Sequence, residues 1–218
     1  MILVNSAGGC GTTMLIEQIS KAGGALVFDG HNNPCKKYKH ISKPPPTKIP
    51  EIPSGSTIKK GLYVFSEPIS AIKTFYRRRE FGNKGEGMIK NWVAGHCRNM
   101  GGDFFLLNPK WDIDDYAKNG KDILGLNDHW FNWHHSKIEY DVMFVKYETM
   151  WYHIEKIRNF LDLPMDFVNN FPPRRERKDF PISSETLGNL TDIYGELATE
   201  LSQQPEVKIR SKSDRCRL

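Results

Sequence analysis

The first twenty residues constrain the fold more than any other stretch of the chain. Met1-Ile-Leu-Val-Asn5 is a short apolar run, and Ser6-Ala-Gly-Gly-Cys-Gly-Thr-Thr13 is a turn of small residues. Met14 to Ser20 then sets Met14, Leu15, Gln18 and Ile19 along one side of a helix. A strand that turns through glycines straight into a helix leaves that helix's first backbone N–H groups unpaired and aimed at one spot. The positive end of the helix dipole stands behind them, so the spot attracts an anion, phosphate above all. Gly8, Gly9 and Gly11, with Cys10 between them, let the main chain approach a ligand with no Cβ in the way, and Thr12 and Thr13 add hydroxyl donors. The nucleoside-triphosphate loop needs Gly, four residues, Gly-Lys and then Ser or Thr. Laid on Gly11, that pattern puts Ser6 at the first glycine and Thr12 at the lysine, which argues against an ATP or GTP hydrolase.

The same alternation continues downstream. Ala25–Phe28, Gly61–Phe65 and Tyr140–Val145 read as strands, the second as one buried on both faces. Lys37–Ile41 alternates weakly, and the prolines from Pro44 to Pro53 make an extended connector. Helices are predicted from Pro68 to Arg79, 88 to 100, 126 to 138 and 149 to 161. A last amphipathic helix opens at Ser183 and carries Leu187, Leu190, Ile193, Leu197 and Leu201. Residues 101–127, rich in Gly, Asn and Asp, read as loop. The predicted class is therefore α/β, a three-layer, mostly parallel sheet with helices on both faces. Ligands of such sheets sit beyond the carboxyl ends of the strands. Residues 6–13, Asp29–His31, Ser66 and Lys146–Glu148 then share one rim. Residues 1–202 are read as a single domain and 203–218 as a basic tail that frays.

Apolar residues make up 39% of the chain, with five Trp, eight Tyr and twelve Phe, enough to exclude a disordered chain. The net charge of +5 is too small to suggest nucleic-acid binding. Four cysteines without pairing or metal spacing suit a reducing compartment. No apolar run approaches the roughly 20 residues of a membrane span, so a soluble, cytoplasmic protein is expected.

Three pieces in order resemble the sulfotransferases that use 3′-phosphoadenosine 5′-phosphosulfate. Gly11-Thr12-Thr13 after a strand is similar to the family's Ser-Gly-Thr-Thr loop, which holds the 5′-phosphosulfate. Tyr63 to Tyr76 is similar to the strand-turn-helix whose arginine and downstream serine hold the 3′-phosphate. Val145-Lys-Tyr-Glu-Thr-Met150 followed by Phe160-Leu-Asp-Leu-Pro164 resembles the family's Arg-Tyr-Glu-Asp-Leu strand end and Phe-Leu-Gly-Leu-Pro helix exit. The likeness spans residues 1 to about 165 and implies a P-loop-like sulfotransferase fold. It further implies that the phosphosulfate nucleotide is co-substrate, with no metal, and that the acceptor is a small molecule, carbohydrate or peptide.

Residue by residue, the resemblance makes His40 the catalytic base, because Lys39-His40 before the prolines is similar to the family's Lys-Thr-His-Leu-Pro. Asp29 and His31 are second choices at an early strand end. Lys39 or Lys37 would stabilise the leaving phosphate. Ser66 and Thr74 fall at the 3′-phosphate positions, with Lys73 or Arg77 for charge, and Arg174, Arg175 and Arg177 match a late basic loop. Two cations of the pattern are replaced, by Gly9 in the first loop and by Ser66 at the 3′-phosphate arginine. The alternatives are a non-catalytic nucleotide- or phosphate-binding module and, third, a small-molecule kinase. Trp92, Trp130 and Trp133 lie at helical spacings that suit core better than an acceptor pocket.

Overall fold

The computed structural model describes residues 1–23, 27–29, 31, 57–81, 93–108, 110–176 and 179–213. Strand β1 (Ile2–Ser6) is buried at every position, as a strand flanked on both sides must be. It pairs in parallel with β2 (Val27–Asp29) on one edge and β3 (Lys60–Phe65) on the other. Strand β4 (Asp141–Lys146) adds to β3 in parallel, and β5 (Val207–Arg210) closes the sheet antiparallel to β4, giving the order β2-β1-β3-β4-β5.

Alternate strand residues feed two cores. Leu3, Tyr63, Phe65, Val142 and Phe144 enter one, together with side chains of α2 (Pro68–Phe81), α3 (Ala94–Met100), α4 (Ile113–Lys118), α5 (Leu126–His135) and α8 (Ser184–Gln203). Ile2, Val4, Leu62, Val64, Met143 and Val145 enter the other, with α1 (Thr12–Lys21), α6 (Ile154–Leu161) and α7 (Asp166–Asn169). The mostly parallel sheet with helices on both faces is thus as the strand–helix alternation predicts. Chain order runs outward from β1 to both sides, so the crevice where the sheet's direction switches lies between the carboxyl ends of β1 and β3. No helix among the described residues is long and apolar enough to cross a membrane.

Three expectations need correction. Residues 207–210, expected to fray, pair with 142–145 of β4, and their basic side chains find acceptors on α5. The presumed loop 101–127 holds α4, started by a capping box in which Asp112 and Asp115 each accept the other's backbone N–H. On α8 the buried stripe is Thr186, Leu190, Tyr194, Leu197 and Leu201, while Leu187 is exposed and Ile193 only half-buried. The start of α2 is capped from the segment just before Pro68: the Glu67 carboxylate accepts from the N–H groups of Ile69 (2.8 Å) and Ser70 (2.6 Å).

Candidate functional site

The turn between β1 and α1 is built by three glycines at positive φ: 92° at Gly8, 71° at Gly9 and 73° at Gly11. Ser6 Oγ accepts from the Gly8 N–H (3.0 Å), and the buried Cys10 thiol donates to the Gly8 carbonyl (3.0 Å), so the turn is held from within. Helix α1 begins at Gly11 without any side-chain cap and with no acid in its first turn. Its first amides therefore open into a cleft of ≈ 900 Å³ floored by Gly9, Gly11, Thr12 and Thr13. Thr12 is buried and Thr13 exposed.

The cleft has two unlike ends. Beside Gly11 stands Tyr147, close enough that a Cβ on Gly11 would meet its ring at 2.9 Å. Trp151 packs edge-on against Tyr147 (centroids 5.3 Å) and donates its indole N–H to the Pro172 carbonyl (2.9 Å). Arg78 and Arg175 also line the cleft. Desolvation and neighbouring Arg77 lower the Arg78 pKa, while Tyr147 opposes that shift. Beside Gly8 stand Phe75 and His96, within 2.7 and 3.1 Å of where its Cβ would be. The His96 ring lies 4.2 Å from that of His31, and Gly95 and Asn99 of α3 complete this end.

His31 Nδ1–H donates to the Ser6 carbonyl at 2.6 Å. Because a carbonyl only accepts, this bond places the proton of the neutral ring on Nδ1 and leaves Nε2 as the lone-pair nitrogen. Desolvation lowers the His31 pKa, against the raising effect of the Ser6 bond, so the ring is neutral at pH 7. The structure thus brings an uncapped helix start and a neutral imidazole to the lining of one cleft.

Of the residues predicted from sequence, Gly9, Gly11, Thr12, Thr13, His31 and Arg175 line the cleft, and Gly8 and Cys10 belong to the turn beneath it. Asp29 ends β2, opposite Val4. Three predicted ligands have been taken up by the protein itself. Ser66 donates to Glu148 Oε1 (2.7 Å), Lys73 pairs with Asp179 (3.0 Å), and the Thr74 hydroxyl donates to the Ser70 carbonyl (2.9 Å) while its methyl side packs towards Gly9. Arg174 is exposed and is not part of the cleft lining. Lys37, Lys39, His40 and Arg177 lie outside the described residues.

Tyr147 lines the cleft as a member of the predicted rim segment Lys146–Glu148, whereas sequence reasoning missed Arg78, His96, Asn99 and Trp151. Arg78 sits one turn beyond Thr74 on α2, a spacing that carried a usable hint. The α3 residues reach the cleft only through tertiary packing, and no local pattern marks them. No protein-family model, no curated protein and no solved structure matches the chain.

Proposed function

We propose that this protein is a sulfotransferase of P-loop-like type, moving a sulfuryl group from 3′-phosphoadenosine 5′-phosphosulfate to a hydroxyl or amine. The observation that carries the reading is the uncapped start of α1, turned through three glycines into a cationic cleft at the sheet's switch point. The amides after Gly11, with Thr12 and Thr13, hold the phosphosulfate end of the donor. Arg78 supplies the positive charge that the loop lacks at Gly9 and stabilises the leaving phosphate, and Arg175 serves the 3′-phosphate in place of Ser66. His31 Nε2 takes the acceptor's proton.

A second reading has its own support: with Gly9 and Ser66 where cations are usual, the cleft also suits a module that binds the nucleotide without turnover. Calorimetry with adenosine 3′,5′-bisphosphate tests what the two readings share, and binding with a Kd below roughly 100 μM is expected. Failure to bind at millimolar concentration sinks both. Transfer of ³⁵S from labelled donor to any acceptor then separates enzyme from module.

A further inference from the structure

The aromatic wall of the cleft stands on a segment with little local support. Tyr147 is the first residue past β4, and Trp151 lies in a single 3₁₀ turn, Met150–His153, that has no side-chain cap. The bonds that lead into this turn are long: Thr149 N–H to the Lys146 carbonyl (3.3 Å) and Met150 N–H to that of Tyr147 (3.4 Å). Short 3₁₀ pieces have poor hydrogen-bond geometry of their own, so tertiary partners decide where this one sits.

Those partners converge on one residue. Met150 is buried and the Trp151 indole is tied to Pro172, while both ends of the segment are bonded to Glu206. The Glu206 carbonyl accepts from the Lys146 N–H (2.8 Å), and the Glu206 carboxylate accepts from His153 Nε2–H (2.7 Å). An ionised carboxylate only accepts, so the ring nitrogen is the donor. Glu206 is itself anchored, because Val207, which follows it, pairs with Val145 of β4. Lys146 and His153 are thereby held to one point, with Tyr147 and Trp151 on the stretch between them. Glu206 lies 53 positions from His153 in sequence and outside the lining of the cleft. Its side chain is 53% exposed and that of His153 14%. A bond so open to water adds little to global stability, and its effect falls on the local geometry of the wall.

We propose that Glu206 is a positioning residue of the cleft: through Lys146 and His153 it holds Tyr147 and Trp151 where an aromatic base stacks on them. This rests on the nucleotide-binding part of the sulfotransferase reading. A ligand whose phosphate end is fixed by the α1 amides carries its base at a set distance from Gly11. A wall already in place at that distance spares the ordering cost of binding.

The probe is ethenoadenosine 3′,5′-bisphosphate, whose base fluoresces and is quenched when it stacks on aromatic side chains. With the full chain, Glu206→Ala is expected to raise its Kd about 5-fold or more and, at saturation, to restore part of the emission. Glu206→Gln keeps a carbonyl acceptor for His153 and should stay within about 2-fold of the parent Kd, with the quenching retained. Quenching at saturation does not depend on affinity, so a variant weakened elsewhere leaves it unchanged. His153→Phe keeps a ring and removes the donor; it should match Glu206→Ala, and the double variant should bind no more weakly than either. It also carries the test should Glu206→Ala not fold. Unchanged Kd and quenching in these variants, Glu206→Gln as impaired as Glu206→Ala, or a parent that binds the probe without quenching each overturn the positioning role and leave nucleotide binding standing. A parent that fails to bind the probe at millimolar concentration removes the sulfotransferase reading and the positioning role together.

Discussion

Two glycine-rich corners of the molecule solve opposite problems. In the turn before α1, the nearest atoms to a Cβ would all be side-chain atoms, of Phe75 and His96 at Gly8 and of Tyr147 and Met14 at Gly11, and at Gly9 it would meet nothing closer than 3.6 Å. Where α3 ends against the start of α5, a Cβ on Gly102 would lie 2.3 Å from the Ile123 carbonyl oxygen and 2.6 Å from Leu124 backbone atoms. There the chains are zipped: Gly102 N–H donates to the Cys97 carbonyl (2.7 Å) and Asp103 N–H to that of Ile123 (2.9 Å). Asp122 fixes the same corner by accepting from the Gly125 and Asn127 amides and the Tyr194 hydroxyl. The first corner uses glycine for dihedral freedom and leaves one face open to the cleft. The second uses glycine for space and leaves none. Glycine content alone does not mark a site; what surrounds the missing Cβ does.

The largest consequence concerns the sealed corner. Backbone cannot swing aside as a ring can, so Gly102→Ala should cost about 3 kcal/mol or more. That corresponds to a melting temperature lower by roughly 6–12 °C. Thermal and urea unfolding measure it, and a cost under ~1 kcal/mol would erase the contrast between the corners.

The far end of α5 gives the next largest effect. His134 accepts from Lys208 Nζ (3.0 Å), its carbonyl takes the Arg210 guanidinium (2.6 Å), and its ring stacks on Trp130. Burial, and then the charges of Lys208, His135 and Arg210, push its pKa from 6.5 to about 4. The depressed value means that the folded chain binds fewer protons than the unfolded chain between these limits. Stability from this group is therefore complete above pH 6.5 and lost as pH falls to about 4, a change on the order of 2–3 kcal/mol. His31 contributes with the same sign, so the decisive measurement is the difference in slope between the parent and His134→Gln in urea titrations at several pH values. Equal slopes would mean that β5 is not tied to the sealed corner through this ring.

At the open corner a substitution should act on binding and spare stability. Arg78→Ala is expected to weaken the bisphosphate 10- to 100-fold, about 1.4–2.8 kcal/mol, with unfolding free energy within about 0.5 kcal/mol of the parent. Calorimetry and urea unfolding on the same preparation separate the two quantities. A loss of stability without loss of binding would reverse the assignment of the corners.

How much of this was legible beforehand follows from how local each signal is. The strand, glycine turn and helix of residues 2–21 announce themselves within one stretch, as do β3 and β4, because each is a continuous apolar run bounded by turn residues. The segment Val207–Arg210 does not: its alternating basic residues look solvated until β4 and His134 are placed beside them. Ser66 and Lys73 sat at motif positions, yet Glu148 and Asp179, distant in sequence, claim their polar ends. His96 and Asn99 were invisible for the converse reason, since only the packing of α3 beside Gly8 brings them to the cleft. His31 was read correctly as a rim residue because β2 must end next to β1, and its bond to Ser6 is a consequence of that parallel register.

The smallest effect is the sharpest test of what the open glycines are for. Gly9 has φ of 71°, but its missing Cβ points towards Ala71 Cα and the Thr74 side chain at 3.6 Å, ordinary contact distances, and away from the cleft. Gly9→Ala should therefore incur the left-handed strain of a non-glycine residue, about 1 kcal/mol, and almost no steric cost. Bisphosphate affinity should stay within about 3-fold, because the backbone N–H groups that face the ligand keep their directions. If the variant instead loses binding at unchanged stability, the turn has given up its shape to relieve the strain, and the anion site depends on the three dihedrals together. If it loses several kcal/mol, α2 cannot accommodate even a methyl group, and the open corner is packed as tightly as the sealed one.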